Sequence, residues 1–297
     1  MRNKISVMVL GLLALVFVCG ATGGCGGESF VDSTSYQYPN WTPEGLIYCQ
    51  KAVTHYRKYW GAIGGEYSEN RGTDYYYVTM STEGTNETTL PYTSYPYFSP
   101  LGTYVALISG ETISIVRRAD NVRAYSFSPT TESISELDWG PDEGKLVYVV
   151  SVSGPDELYI INLDGTGRVL ISSNYAGDAN WRFGDKILFS GGNYGGYAKI
   201  MTADANNVNN IVIFENAIGG DITRSSTEAI FRGNTGIEHI NVTGSPSVYS
   251  TTLIARNDLW NIHLSPDGQK IVASGNNITG EQIWLINTNG SNLTQLK

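Results

Sequence analysis

Leu264-Ser265-Pro266-Asp267-Gly268, running on into Lys270-Ile271-Val272-Ala273, is the stretch from which the fold is read: a turn phrase that leads into a run of β-formers. Trp41-Thr42-Pro43-Glu44-Gly45, Phe98-Ser99-Pro100-Leu101-Gly102 and Trp139-Gly140-Pro141-Asp142-Glu143 repeat it, and each precedes a β-rich run. Worn copies stand at Trp181-Arg182-Phe183-Gly184-Asp185 and Thr223-Arg224-Ser225-Ser226-Thr227. Along the column Pro43, Pro100, Pro141, Phe183, Ser225 and Pro266 the steps are 57, 41, 42, 42 and 41 residues. Six repeats with one insertion account for that series. A period in the forties belongs to propellers and solenoids, whose units bury an apolar face on each neighbour.

One repeat reads as four short strands: Ile134 to Trp139, Leu146 to Val150, Leu158 to Leu163 and Val169 to Ser172, with Asp164-Gly165 before the last. The final repeat has the same parts, with Asn289-Gly290 in the matching place. Asp-Gly and Asn-Gly between β runs favour tight hairpins because both central residues accept positive φ. No helical period competes. Four antiparallel strands, six times over, predict an all-β, six-bladed β-propeller across residues 36–297, closed so that no blade leaves an apolar face bare. The aromatic two places before the proline column (Trp41, Phe98, Trp139, Trp181) is expected between blades, with Thr223 and Leu264 marking a thinner seam.

These phrases resemble the TolB-type (WD40-like) propeller repeat family. In that family an aromatic-Ser-Pro-Asp-Gly phrase, an apolar strand, an aliphatic strand with a Tyr or Trp, and an Asp-Gly turn follow in order. Leu264 to Gly268 with Ile283-Trp284-Leu285-Ile286, and Trp139 to Glu143 with Leu158-Tyr159-Ile160-Ile161, carry the pattern. The resemblance covers residues 38 to 297 and the propeller only; no counterpart of the family namesake's additional α/β domain is expected.

Arg2 and Lys4 before the apolar run Ile5 to Val18 have the form of a secretory signal, too short to span a bilayer comfortably. Gly23-Gly24-Cys25 resembles a bacterial lipoprotein signal, which implies a signal peptide over 1–24, lipidation of Cys25 and a short linker over 25–35. An ordinary cleaved signal and an uncleaved anchor are the alternatives, and all three put the remainder outside the cytoplasm. Cys49 would then be the only remaining thiol, so stability is expected from a buried core rather than disulfides. The net charge of −9 becomes two units more negative without Arg2 and Lys4. Such a balance argues against nucleic acid and against a polybasic membrane patch. The expected setting is the cell envelope, periplasmic, outer-membrane or surface-exposed, with the protein held by lipid and monomeric as a propeller; secretion is the alternative.

Two groups of residues are candidate sites. Asn40, Glu136, Asp138, Asp178, Asn180, Asp221, Asp258, Asn261 and His263 precede the phrases, where inner strands would line a channel mouth. Such an acidic, amide-rich ring can hold a cation, a sugar or a basic peptide, or can simply solvate the channel. Lys51, His55, Arg57, Lys58, Tyr59 and Trp60 lie in the insertion after the first phrase, where cationic and aromatic residues together suit an interaction surface. An extended hairpin burying the same aromatics is the plainer reading.

Catalysis has little support. There is no Gly-x-Ser-x-Gly elbow, and His55, His239 and His263 lack metal-ligand spacing, so no cofactor or metal is expected. The leading expectation is a non-catalytic, membrane-anchored propeller that binds an envelope protein or polymer. A glycan-binding or glycan-cleaving propeller using Glu136, Asp138 and Asp178 is the alternative, and a structural spacer the third.

Overall fold

The computed structural model describes residues 16–17, 27–60, 65–181, 183–191, 199–213, 218–223, 227–242, 250–277 and 280–297. The proposed signal and Cys25 lie outside them, apart from the two-residue strand Val16–Phe17. The chain divides into two compact units, Met1–Thr34 with Ala52–Tyr75, and Ser35–Lys51 with Tyr76–Lys297. Three long strands, Gly27–Trp41, Ile47–Trp60 and Glu66–Met80, contribute to both.

The second unit is a six-bladed all-β propeller of four-stranded antiparallel blades. Blade one takes the lower parts of the three long strands and closes with Thr88–Thr89. Blade two is Tyr97–Phe98, Tyr104–Ser109, Thr112–Arg117 and Val122–Phe127. Blade three is Ile134–Trp139, Lys145–Val150, Asp156–Asn162 and the first half of Val169–Asn180. That last strand is longer than the sequence suggests: Val169 to Tyr175 pairs with blade three, and Tyr175 to Asn180 pairs with Lys186–Gly191 as the inner strand of blade four. Lys199–Asp204 and Asn207–Ile213 complete blade four. Blade five is Ile218–Ile222, Glu228–Arg232, Ile237–Asn241 and Thr251–Ile254; blade six is Leu259–Leu264, Lys270–Asn277, Gly280–Asn287 and Thr294–Gln295.

The phrase does local work at each turn. The amides of Gly45, Gly102, Glu143 and Gly268 bond back to the carbonyls of Thr42, Ser99, Gly140 and Ser265 at 2.8–3.0 Å. The turning residue has positive φ, easy for Gly102 at 81° and costly for Glu143 at 60°. Glu143 is compensated: its buried carboxylate accepts from the amides of Leu101 (2.9 Å) and Thr103 (3.3 Å) in blade two. Gly140 replaces the usual Ser or Thr because a Cβ there would meet the Trp181 ring at 3.0 Å.

Hydrogen bonding corrects the fifth copy by one residue. Thr223 donates its amide to the Glu228 carbonyl as Ser99 does to Tyr104 and Ser265 to Lys270, so Thr223 occupies the Ser place and Ile222 the aromatic one. The aromatic place there holds an aliphatic residue, so nothing in the sequence marked the register of this copy. Leu264 is fully buried with Ile230, Ile237, Leu259 and Ile262, so the seam between blades five and six is filled by aliphatics.

Among the described residues each blade is contiguous in sequence, so side chains close the ring between blades six and one. Trp41, Ile47, Cys49, Val78 and Met80 share a core with Val272, Ile283 and Leu285. Trp41 Nε1 donates to the His263 carbonyl at 3.0 Å, just as Trp139 Nε1 donates to the Tyr97 carbonyl at 2.8 Å between blades three and two. Glu87 adds a clasp, accepting from Lys51 (2.6 Å) and Tyr36 (2.9 Å), with Lys297 at 3.9 Å. Burial alone would raise its carboxyl, but the hydrogen bonds from Lys51 and Tyr36 and both lysine charges outweigh it and hold the carboxyl below its usual value. A depressed carboxyl stabilises the fold above its unfolded value and loses that contribution as pH falls through the folded one. Glu87→Gln should therefore cost about 1 kcal/mol at pH 7, discounted for partial exposure, and progressively less as acid protonates the carboxyl. Urea unfolding of both proteins across an acid pH series checks this.

In the first unit the described sheet runs from Val16–Phe17 through parts of the three long strands, and here the expected linker takes a different form. Gly27 to Ser35 is strand, its backbone satisfied by pairing with the strand Ile47–Trp60 rather than by any run of β-formers.

Candidate functional site at the channel mouth

The inner strands carry one residue each immediately before the aromatic place: Asn40, Tyr97, Asp138, Asn180, Asp221 and His263. Three residues before that place, Tyr38, Asp178 and Asn261 take left-handed φ of 52°, 53° and 49°. The inner strands of blades four and six are also out of register there, between Gly177 and Asn180 and between Trp260 and His263. Such bulges re-aim side chains and cluster at functional sites. Asp and Asn tolerate this conformation, whereas for a bulky tyrosine it is an outlier.

The result is one cavity of about 450 Å³. Its polar wall holds Asn40, Glu136, Asp138, Asp178, Asn180, Asn261 and His263, seven of the nine residues singled out from sequence. Asp221 is not among the lining residues: it is buried, its Oδ2 accepting from the Leu264 amide at 3.0 Å. Asp258 is not brought to the cavity: Arg256 two residues earlier grips its carboxylate, with Nε to Oδ1 at 2.9 Å, and holds it below the usual range.

The lining also holds four tyrosines, and the sequence reading missed them. Tyr38, Tyr77, Tyr95 and Tyr97 line the cavity. Tyr95 meets Tyr77 and Tyr97 edge-on at 5.8 and 5.0 Å, and its hydroxyl donates to the Tyr38 carbonyl at 3.0 Å. Gln50 Nε2 donates to the Tyr77 hydroxyl at 3.3 Å. Burial, with the charge of Glu136 next, pushes the Tyr97 hydroxyl well up, so it remains a donor. Burial likewise raises Asp178, against the opposing charge of Arg232.

Two of the carboxylates also fasten blades together. Glu136 Oε1 accepts from the Ala179 amide at 2.9 Å, and Asp138 Oδ2 from the Trp181 amide at 2.7 Å, both across the blade three to blade four boundary. No lysine or arginine is among the described lining residues. Among the described residues no group of three His, Cys, Asp or Glu side chains is placed to hold a metal ion.

The insertion residues are brought together differently. In the first unit Arg57 pairs with Glu28 at 2.6 Å, Lys58 with Glu66 at 2.5 Å, and His55 sits between Asp32 (2.7 Å) and Asp74 (3.3 Å). The bonds to Asp32 and Asp74 raise the imidazole above its usual value. Tyr59 stacks on Tyr67 at 6.1 Å, and both are exposed. Lys51 belongs to the second unit and is engaged by Glu87. Trp60 ends its strand, and its side chain lies outside the described residues. Each described cation of the insertion therefore has a carboxylate partner, which removes a bare basic patch.

The fold and this mouth define a six-bladed propeller with a polar, tyrosine-walled channel opening. No protein-family model matches the sequence, and no curated protein sequence matches it. Among solved structures the chain is similar to a putative TolB from Agrobacterium tumefaciens, with a TM-score of 0.59, 17% identity, and 71% of this chain and 82% of that one covered. It is also similar to TolB from Acinetobacter baumannii, with a TM-score of 0.54, 14% identity, and 88% and 78% covered. An oligogalacturonate lyase from Vibrio parahaemolyticus matches with a TM-score of 0.51, 10% identity, and 92% and 96% covered. The propeller is thus of the TolB type in architecture, and at these identities the likeness concerns the fold.

Proposed function

We propose that this chain is a non-catalytic, cell-envelope propeller, tethered through a lipid on Cys25, that binds a basic segment of a partner protein at the channel mouth. The observation that carries the reading is the composition of one cavity: Glu136, Asp138 and Asp178 face four tyrosines with no lysine or arginine in the lining. An ammonium or guanidinium group gains from carboxylates and from aromatic faces at once. Glu136 and Asp138 each accept a main-chain amide, which favours their ionised forms and suits them to hold charge rather than to donate a proton.

A sugar polymer is the second reading, favoured by the tyrosine wall, since flat aromatic faces also stack on sugar rings. Binding of lysine-rich peptides and of acidic and neutral oligosaccharides to the full chain separates the two. The peptide should bind, and Tyr38→Ala together with Asp178→Asn should weaken it about tenfold. Peptide binding unaffected by both changes, or oligosaccharide binding in its place, overturns the basic-segment reading. Cys25→Ala should release the protein from the membrane fraction, and retention there would remove the lipid tether.

A further inference from the structure

The carboxylates at the channel mouth are arranged for one kind of cation. Glu136 and Asp138 stand two residues apart on a regularly paired stretch of the blade three inner strand, so they share a face. Each reaches across to blade four with one oxygen, Glu136 Oε1 to the Ala179 amide at 2.9 Å and Asp138 Oδ2 to the Trp181 amide at 2.7 Å. The amide that Glu136 grips belongs to the peptide following Asp178, so the Asp178 backbone stands beside that carboxylate. Asp178 itself has a left-handed φ of 53° at a register shift of its strand, and it joins the same lining. Resting on the basic-segment reading above, we infer that the mouth reads lysine in preference to arginine, as a receptor for a primary ammonium group.

Acceptors spread over two strands are met from several directions. An ammonium suits them, because it is a compact charge with three divergent donors on a flexible stem and can serve more than one carboxylate at once. A guanidinium gains most as a planar fork, two parallel N–H groups on both oxygens of one carboxylate. At Glu136 and Asp138 that fork would compete with a main-chain amide for one of the two oxygens. Seating it would loosen a bond that fastens blade three to blade four.

The tyrosines favour the same cation. Tyr95 crosses Tyr77 at 85° and Tyr97 at 67°, with ring centroids 5.8 and 5.0 Å apart. Crossed rings form a corner and not the parallel slot in which a planar guanidinium stacks. An ammonium needs only one aromatic face within about 6 Å. Arg232, whose charge reaches Asp178, is itself engaged by the Asn257 carbonyl at 3.0 Å. Burial raises the Asp178 carboxyl despite that charge, and an arriving ammonium offsets the burial.

The test uses the full chain and three acetylated, amidated pentapeptides of equal charge, titrated in ¹H–¹⁵N spectra: Lys-Lys-Gly-Lys-Lys, Arg-Arg-Gly-Arg-Arg, and the first with every lysine trimethylated. Shifts should centre on Tyr97, Ala179 and Asn261. The lysine peptide should bind about tenfold tighter than the arginine one, the worth of one charge-assisted hydrogen bond. Trimethylation keeps the charge and removes the donors, so it should weaken binding by a similar factor. Asp178→Asn should narrow the lysine preference to roughly threefold or less. Asparagine accepts the left-handed backbone as aspartate does, so the fold persists. Tyr38→Ala is the second variant and should weaken both unmethylated peptides alike, since an aromatic face serves either cation. Arginine binding as tightly as lysine, or a lysine preference that Asp178→Asn leaves unmoved, overturns the inference while the basic-segment reading stands. Undiminished binding of the trimethylated peptide does the same, by assigning recognition to the tyrosines alone. Failure of all three peptides to bind overturns both.

Discussion

Trp139→Ala is expected to lower the stability of the propeller by about 3–5 kcal/mol, the cost of emptying a large buried aromatic site. Trp139 is 1% exposed and packs among Ala106, Ile113 and Ile115 of blade two and Leu137, Leu146 and Tyr148 of its own blade. Tyr104 lies parallel to its ring at a centroid distance of 6.1 Å. The indole also donates to the Tyr97 carbonyl at 2.8 Å. Truncation therefore opens a void at an interblade seam and removes a donor from a residue of the channel mouth. For a domain of this size the loss corresponds to a fall of roughly 8–15 °C in Tm. Trp139→Phe keeps most of the packing and loses the hydrogen bond, so it should cost only about 1–2 kcal/mol. Thermal and urea unfolding of both variants checks the pair of values; an alanine variant within about 1 kcal/mol of wild type would show that the seam does not depend on this ring.

The same column explains how much of the molecule was legible beforehand. Repeat spacing and turn phrases suffice for the six blades, because closure demands a buried residue at each seam and Trp41, Trp139 and Trp181 announce it. The fifth copy slipped by one because Ile222 stands at the aromatic place of its strand, and an aliphatic there carries no visible mark. Seven polar residues of the mouth were found by their chemistry, but Tyr97 was not, although it stands in the same position of blade two that Asp138 holds in blade three. Reading down the column rather than searching for carboxylates would have found it, since whatever occupies one place on every inner strand must meet near the axis. That argument applies equally to the prolines, which act as turn formers one at a time and as the wall of a cavity together. The left-handed backbone at Tyr38 had no signal, because tyrosine is an unusual residue for it. Asp258 looked like a mouth residue by position, yet Arg256, two residues away, captures it at shorter range than any ring symmetry acts.

Asp221→Ala is the second large effect, and it tests whether acids beside the mouth serve the ring or the ligand. Asp221 is 1% exposed, and its Oδ2 accepts from the Leu264 amide, 43 residues on, at 3.0 Å. Asp138 repeats the contact with the Trp181 amide, also 43 residues on, at 2.7 Å. One residue of the inner strand thus fastens the inner strand of the next blade, at the spacing of the repeat itself. Alanine leaves the Leu264 amide buried without its charged acceptor, at a cost of about 2–3 kcal/mol. Asp221→Asn keeps an acceptor oxygen and should lose about 1 kcal/mol. Because Asp138 lines the cavity and Asp221 does not, the two alanine variants should separate. Asp221→Ala should unfold at lower urea while the folded fraction binds a lysine-rich peptide as wild type does. Asp138→Ala should lose both stability and affinity, since it removes a staple and a lining charge together. Equal loss of peptide binding in both would mean that the blade four to blade six arc, not the carboxylate of Asp138, sets the shape of the mouth.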